Sequence, residues 1–416
     1  DGSLALTADG LEGGESVDLI PGEPVAGPIA DKFRHLSGLP TFRIPADALG
    51  RVHEILKQQF AVAARAPDGT PLDATSLQPA GVLDELFTYD GTLGVSFPGG
   101  TPTIRVWAPT ARSVKLHLFD DSAAAEPAQV LAMAEDPATG TWAVAGAPGW
   151  DRKFYLFEVE VFVRHTGRVE RNLVTDPYSL SLAINSRRSQ IVNLDDADLK
   201  PHGWDRLRKP RLGSGVDAAI YELHVRDFSM HDDRVPEAWR GTFKAFTQHT
   251  SRGVKHLHRL SAAGLTHVHL LPAFDFATVD EDRSRHATTP DLGGLPPDSE
   301  QQQAAVRGIR ASDGFNWGYD PFHYTTPEGS YSTDPDGATR IREFREMVAA
   351  LNRIQLRVVM DVVYNHTSGS LQGDTSNLDR IVPDYYHRLN SSGGIETSTC
   401  CANTATEHAM MEKLML

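Results

Sequence analysis

The sequence predicts a multidomain chain in which a β-sandwich module precedes a parallel α/β unit, and three observations carry that reading. Short segments alternating apolar and polar residues recur between residues 81 and 200. Strand and helix patterns then alternate from about residue 210. An insertion of about sixty residues, Ala273 to Tyr331, interrupts that second pattern and is far longer than an ordinary βα loop.

The first 30 residues are rich in Gly, Pro, Asp and Glu without periodicity and read as a flexible leader. Residues 31–80, with Phe42, Ile44, Val52, Ile55, Leu56 and Phe60, read as part of an N-terminal module. Within 81–200, Ile104, Val106 and Ala108 share one face of a strand, as do Val114, Leu116 and Leu118, then Phe157, Val159 and Val161. Regular short strands between Pro, Gly and Asp turns point to a sandwich. Trp107 and Trp142 have the right chemistry to stack on sugar rings, but a sandwich of this size also needs core tryptophans.

From residue 210 to 416, Ala218 to Val225 reads as a strand, Ser251 to Ala263 as a helix stopped by Gly264, and His267 to Leu271 as a second strand closed by Pro272. A helix over Ala338 to Arg353 follows the turn Asp334 to Gly337, and Leu356 to Val363 is the third strand. Such an order fits a barrel or an open sheet. The long insertion favours the barrel, because barrel active sites are built from loops at the carboxyl ends of the strands.

Charge and length bound the function. The 416 residues hold 55 acids against 40 bases, a formal net charge of −15, which disfavours nucleic acid and anionic membranes as partners and suits a neutral substrate. No apolar run approaches the roughly 18 residues of a membrane span. The two cysteines, Cys400 and Cys401, are adjacent, with Cα atoms about 3.8 Å apart, below the usual disulfide range. They read as ordinary loop cysteines, in a chain suited to a reducing compartment.

Two constellations carry chemistry. Val358 to His366 is an apolar run that stops in Asp361, Asn365 and His366. Phe315 to Pro321 gathers Trp317 and Tyr319 with Asn316 and Asp320, and Tyr324 and Tyr331 follow. Flat aromatic faces meet the C–H face of a pyranose while amides and carboxylates bond its hydroxyls. A packed loop explains the same composition, with His366 as a loop hydrogen-bonder, Asp361 as a strand-end cap and Tyr319 as packing.

The motifs Tyr221 to Ser229, Thr266 to Pro272, Asn316 to Pro321 and Asp361 to His366 together resemble, in order and spacing, the pullulanase-type debranching enzymes of the α-amylase superfamily, most of all plant and algal limit dextrinases. Gly81 to Asp84, Ala338 to Arg357 and Asn403 to His408 extend the likeness over most of residues 33 to 416. The resemblance implies a starch-associated carbohydrate-binding β-sandwich followed by a (β/α)₈ TIM barrel that hydrolyses α-1,6 linkages of limit dextrins and pullulan in starch metabolism. It implies that Tyr319 stacks beneath the glucose at the cleavage subsite, with Trp317 and Asp320 beside it. His366 would donate to a hydroxyl of that sugar, Asp361 would orient an arginine on the next strand, and Asn365 would anchor the loop after the third strand. No cofactor is required. In many relatives the matching asparagine binds calcium, and with one amide and no visible set of oxygen ligands the metal is left open here. A plastid location follows from the resemblance alone.

A retaining glycosidase needs two carboxyl groups about 5 to 5.5 Å apart. The family's pair follows strands four and five, so the nucleophile and the acid/base are expected beyond Leu416 and none in this chain. The barrel is accordingly expected to be truncated after about three βα units and the chain inactive alone, with a complementing C-terminal chain as one way to complete it. A noncatalytic glucan-binding or regulatory protein is the alternative.

Overall fold

The computed structural model describes residues 4–7, 9–398 and 400–416. Near the amino terminus, Ala5–Thr7 pairs with Gly10–Glu12, Ile20–Pro21 with Phe42–Arg43, and Ala61–Arg65 with Pro71–Ser76, all antiparallel. Residues 5–7, 10–12 and 20–21 are thus in strands where composition predicts a flexible leader. The Gly22 amide donates to the Thr41 carbonyl at 2.8 Å and the Val25 amide to that of Leu39 at 3.0 Å, tying this stretch to the module after it. Main-chain pairing of this kind needs no side-chain periodicity and leaves no pattern to read.

Two antiparallel sheets follow. One runs Gln129–Ala132, Ala111–Phe119, Phe154–Val163, Arg168–Val174; the other runs Ala134–Asp136, Thr141–Ala145, Thr103–Trp107, Gly94–Ser96. The alternating residues singled out above, Ile104, Leu116, Leu118, Phe157, Val159 and Val161, are all buried in the shared core. Trp107, 1% exposed, and Trp142 are core tryptophans whose indole N–H groups donate to the carbonyls of Phe87 and Ala108. Neither presents a face to solvent for sugar.

That core also takes in residues far along the chain. Helices Leu378–Ile381 and Ala409–Met415 supply Leu378, Ile381, Met410, Met411 and Leu414, and the Tyr385 ring lies 4.7 Å from that of Trp107. Arg164 grips Asp384 with two bonds of 2.9 Å. The tail of the chain thus packs on the sandwich, although sequence grouped it with the α/β unit.

The α/β unit is a parallel sheet in the order Ile220–Leu223, His267–Leu270, Arg357–Met360. Helix Arg252–Ala262 links the first two strands. Ser251 caps it by accepting from the Val254 amide at 3.1 Å, and Gly264, at φ +111°, takes the left-handed turn that ends it. Helix Thr339–Arg353 precedes the third strand, which is shorter than its apolar run because pairing stops at Met360. Ile220, Tyr221, Val359 and Val362 are exposed. Within the long insertion, Phe274–Phe276 pairs with Pro321–Pro327 and lays the intervening loop across the carboxyl ends of the parallel strands.

Candidate functional site

The loop Asn316 to Asp320 is fastened to the end of every parallel strand. After the first strand, the His224 Nε2–H donates to the Asn316 carbonyl at 2.6 Å, and its Nδ1 accepts from the Asp227 amide at 3.2 Å. After the second, Pro272 packs so closely beneath Gly318 that a Cβ there would meet the Pro272 carbonyl oxygen at 2.9 Å; Gly318 also sits at φ +84°. Only glycine fits both conditions without strain. After the third strand, the Tyr319 hydroxyl donates to Asp361 Oδ2 at 2.7 Å.

Of the four residues expected to meet substrate, two are offered to solvent and two are turned inward. Trp317 is 62% exposed and Tyr319 is 40% exposed. His366 is only 7% exposed, and its Nε2–H donates to the Tyr319 carbonyl at 2.8 Å. With that proton committed, the expected bond from His366 to a sugar hydroxyl is replaced by a hold on the Tyr319 backbone, and buried Nδ1 has no partner among the described residues. Asp320 accepts from Thr278 and Asn316 through Oδ2, and its Oδ1 is enclosed. It braces the loop from within, and burial raises its carboxyl above the usual range.

The remaining expectations divide in the same way. Asp361 holds the Tyr319 hydroxyl; that bond first, then burial, pushes the phenol up to about 12, so it stays a donor at neutral pH. Asn365 is exposed and anchors through its carbonyl, which accepts from the Thr404 amide at 3.1 Å. Tyr324 and Tyr331 are buried packing residues. Cys400 and Cys401 are joined to each other in a disulfide, contrary to the expectation of two loose thiols. Adjacent cysteines can close a small ring whose Cα spacing falls below the range of long-range bridges. His224 and Thr278, absent from the expected set, complete the loop's anchorage; His224 lay within the quoted motif, directly after the first strand, while Thr278 carried no signal.

Behind the loop lies a buried polar network joining the two modules. The Ser186 hydroxyl donates to Asp275 at 2.8 Å, the Asn185 amide to Glu281 at 2.6 Å, and His323 bridges Asp275 and Thr175 with contacts of 2.7 Å. Asn185 and Ser186 both have positive φ, 57° and 53°, a strained pair held by these bonds. Ligand oxygens of Asp275, Glu281 and Glu328 lie within 4.8 Å of one another, with Arg340 fully buried among them. The guanidinium already fills the role a metal would take. Burial, outweighing Arg340 and assisted by Asp275, lifts Glu281 to about 7; burial and the neighbouring Glu281 lift Glu328 well above the carboxylate range.

The sign of the resulting pH effect follows. Both groups bind protons more tightly folded than unfolded, so their contribution is complete below the unfolded value, about 4.3, and is lost as pH rises through the folded one. Unfolding measured between pH 5.5 and 8 is expected to show stability falling by up to about 2 kcal/mol across Glu281 alone. Glu328→Gln copies the protonated shape and is expected to flatten that fall. An unchanged slope in this variant would remove Glu328 from the effect.

A β-sandwich packed on a parallel α/β unit, with Trp317 and Tyr319 exposed near its strand ends, is also the fold of a pullulanase of known structure. The sequence matches the pullulanase N2 domain over residues 1–85 and carbohydrate-binding module 48, the isoamylase N-terminal domain, over residues 92–179. In sequence and fold the chain matches the amino-terminal region of pullulanases. It is 43% identical to chloroplastic pullulanase 1 of Arabidopsis thaliana over 99% of its own length and 43% of that protein's. It is 40% identical to the pullulanase of Klebsiella pneumoniae, with 94% of this chain and 40% of that protein covered. A crystal structure of the maltotriose complex of PulA from Klebsiella pneumoniae superposes with a TM-score of 0.93 at 38% identity, covering 100% of this chain and 49% of that one. The chain thus spans less than half the length of these relatives.

Proposed function

We propose that this chain is the glucan-recognising part of a glycoside hydrolase that cleaves α-1,6 branch linkages of limit dextrins and pullulan in starch metabolism. The observation that carries this reading is Tyr319, exposed on one face yet fixed by Asp361 and His366 at the ends of the strands. Trp317 and Tyr319 supply the stacking surface for a glucosyl unit, and His224, His366, Asp361 and Thr278 position them. Maltotriose bound to the Klebsiella relative supports an α-glucan as the ligand.

In this reading the three parallel strands are the first βα units of a (β/α)₈ barrel, truncated here. The retaining mechanism uses a nucleophile and an acid/base outside this chain, beyond Leu416 or on a complementing C-terminal chain. The carboxylates nearest the loop support that division: Asp320 is braced inward and Asp361 holds Tyr319, so neither is a free nucleophile. No cofactor is required in this reading. The chloroplastic relative supports a plastid location, and no helix among the described residues is long and apolar enough to cross a membrane.

The test is reducing-sugar release from pullulan by the purified chain, with pullulan binding measured in parallel. Binding without hydrolysis is expected. Hydrolysis that co-purifies with the chain would overturn the placement of the carboxylates, and absence of binding would overturn the recognition role.

A further inference from the structure

Among the described residues, groups of three histidine, cysteine or carboxylate side chains converge in two places. One is the acidic cluster around Arg340. In the other, a ring nitrogen of His366 and the sulfurs of Cys400 and Cys401 all lie within 4.8 Å of one another. The backbone builds this meeting: His366–Thr367 pairs antiparallel with Ala402–Asn403, so the two cysteines stand immediately before the strand that runs beside His366. The Thr404 amide, donating to the Asn365 carbonyl at 3.1 Å, continues the pairing.

The three donors match one class of ion. His366 Nε2 gives its proton to the Tyr319 carbonyl, which leaves Nδ1 as the nitrogen with a free lone pair. That Nδ1 is enclosed and has no hydrogen-bond partner among the described residues. A histidine with its other N–H fixed on a backbone carbonyl is the usual form of a metal ligand, because the bond sets the tautomer and the ring orientation. Coordination needs the donors to face one another rather than bulk water. Tetrahedral zinc spaces a nitrogen and a sulfur about 3.6 Å apart, so from a separation within 4.8 Å a closing movement of about 1 Å is enough. Cys400 is exposed and Cys401 half-buried, which gives a reductant and an ion their way in. Two thiolates and one imidazole favour zinc over magnesium or calcium, and the net charge of −15 attracts cations.

We propose that reduction of the Cys400–Cys401 bridge creates a zinc site formed by both sulfurs and His366 Nδ1. A dithiol gives two electrons and two protons to the bridge, becomes a disulfide itself and leaves two thiols; zinc then displaces both thiol protons and takes the Nδ1 lone pair, with water as fourth ligand. Bridged, the sulfurs have no thiolate to offer, so the oxidised protein lacks the site. Because the same ring holds the Tyr319 carbonyl, the ion would fasten the histidine that carries the Tyr319 loop.

The experiment uses the whole chain, reduced with dithiothreitol, freed of the reagent under argon and titrated with Co²⁺ as a spectroscopic probe and then with Zn²⁺. One equivalent of Co²⁺ is expected to bind with intense thiolate-to-cobalt absorption, which Zn²⁺ abolishes by displacement, and the oxidised chain is expected to show none. The chain has only these two cysteines, so the band has no other source. Cys400→Ser and Cys401→Ser are each expected to weaken Zn²⁺ binding at least tenfold. His366→Gln, which keeps an N–H for the Tyr319 carbonyl and removes the imidazole, is expected to do the same, with thermal unfolding of each metal-free variant checking that it folds. X-ray absorption on the unaltered, reduced, zinc-loaded protein is independent of variant folding and is expected to show two sulfurs and one imidazole around the ion. Absence of the thiolate band in the reduced chain, or a zinc shell lacking either sulfur or imidazole, would overturn the site.

Discussion

Replacing Arg340 with Met is expected to destabilise the protein by about 3–5 kcal/mol, the usual cost of removing one partner from a buried ionic cluster. Arg340 is completely buried, with Nη2 donating to Glu281 at 3.1 Å and also to the Pro335 carbonyl, and Nη1 lying 3.6 Å from Asp275. Without the guanidinium, Asp275, Glu281 and Glu328 would face one another in a site that excludes water. Because Ser186 and Asn185 bring the sandwich to the same carboxylates, the loss is expected to loosen the junction between modules. Thermal unfolding at pH 7.5 checks the size of the effect. The double variant Arg340→Met with Glu281→Gln is expected to recover part of the loss by placing a neutral group there that needs no proton taken up at pH 7.5. An Arg340→Met protein that melts like the wild type would refute this account of the network.

Tyr319→Ala is expected to weaken maltotriose binding at the loop site at least tenfold, equivalent to about 1.4 kcal/mol or more. It removes an exposed ring that the structure has already oriented, so no ordering cost is recovered on truncation. Tyr319→Phe separates the two parts of the residue. It keeps the stacking face and loses only the bond to Asp361, so a smaller decrease is expected, together with a less rigid loop. Titrating both variants with maltotriose decides the matter, and equal losses in Phe and Ala would mean that the hydroxyl, not the ring, carries recognition.

Tyr319, Asp361 and His366 are bonded to one another, yet the division of labour among the expected residues was not legible beforehand. A sequence shows that His366 ends an apolar run; it does not show that the Tyr319 carbonyl will lie 2.8 Å from its Nε2. Asp320 likewise has the composition of a sugar ligand, and only the approach of Thr278, 42 residues earlier, turns it inward. The glycine at 318 was visible as a loop residue, whereas the reason for it, the Pro272 carbonyl beneath, arises from contact between separate segments.

What the sequence determined by itself was local: strands with a two-residue apolar period at 103–119 and 154–163, the Ser251-capped helix ending at Gly264, and the order of strand, helix and strand. These follow from backbone geometry and side-chain period within a few residues. The tertiary structure alone decided that residues 378–415 complete the sandwich core, that Asp275, Glu281, Glu328 and Arg340 meet in the buried interior, and that a cavity remains between the modules. Those are long-range contacts, in which burial and electrostatics depend on what the fold brings alongside, and no local pattern in the chain encodes that neighbour.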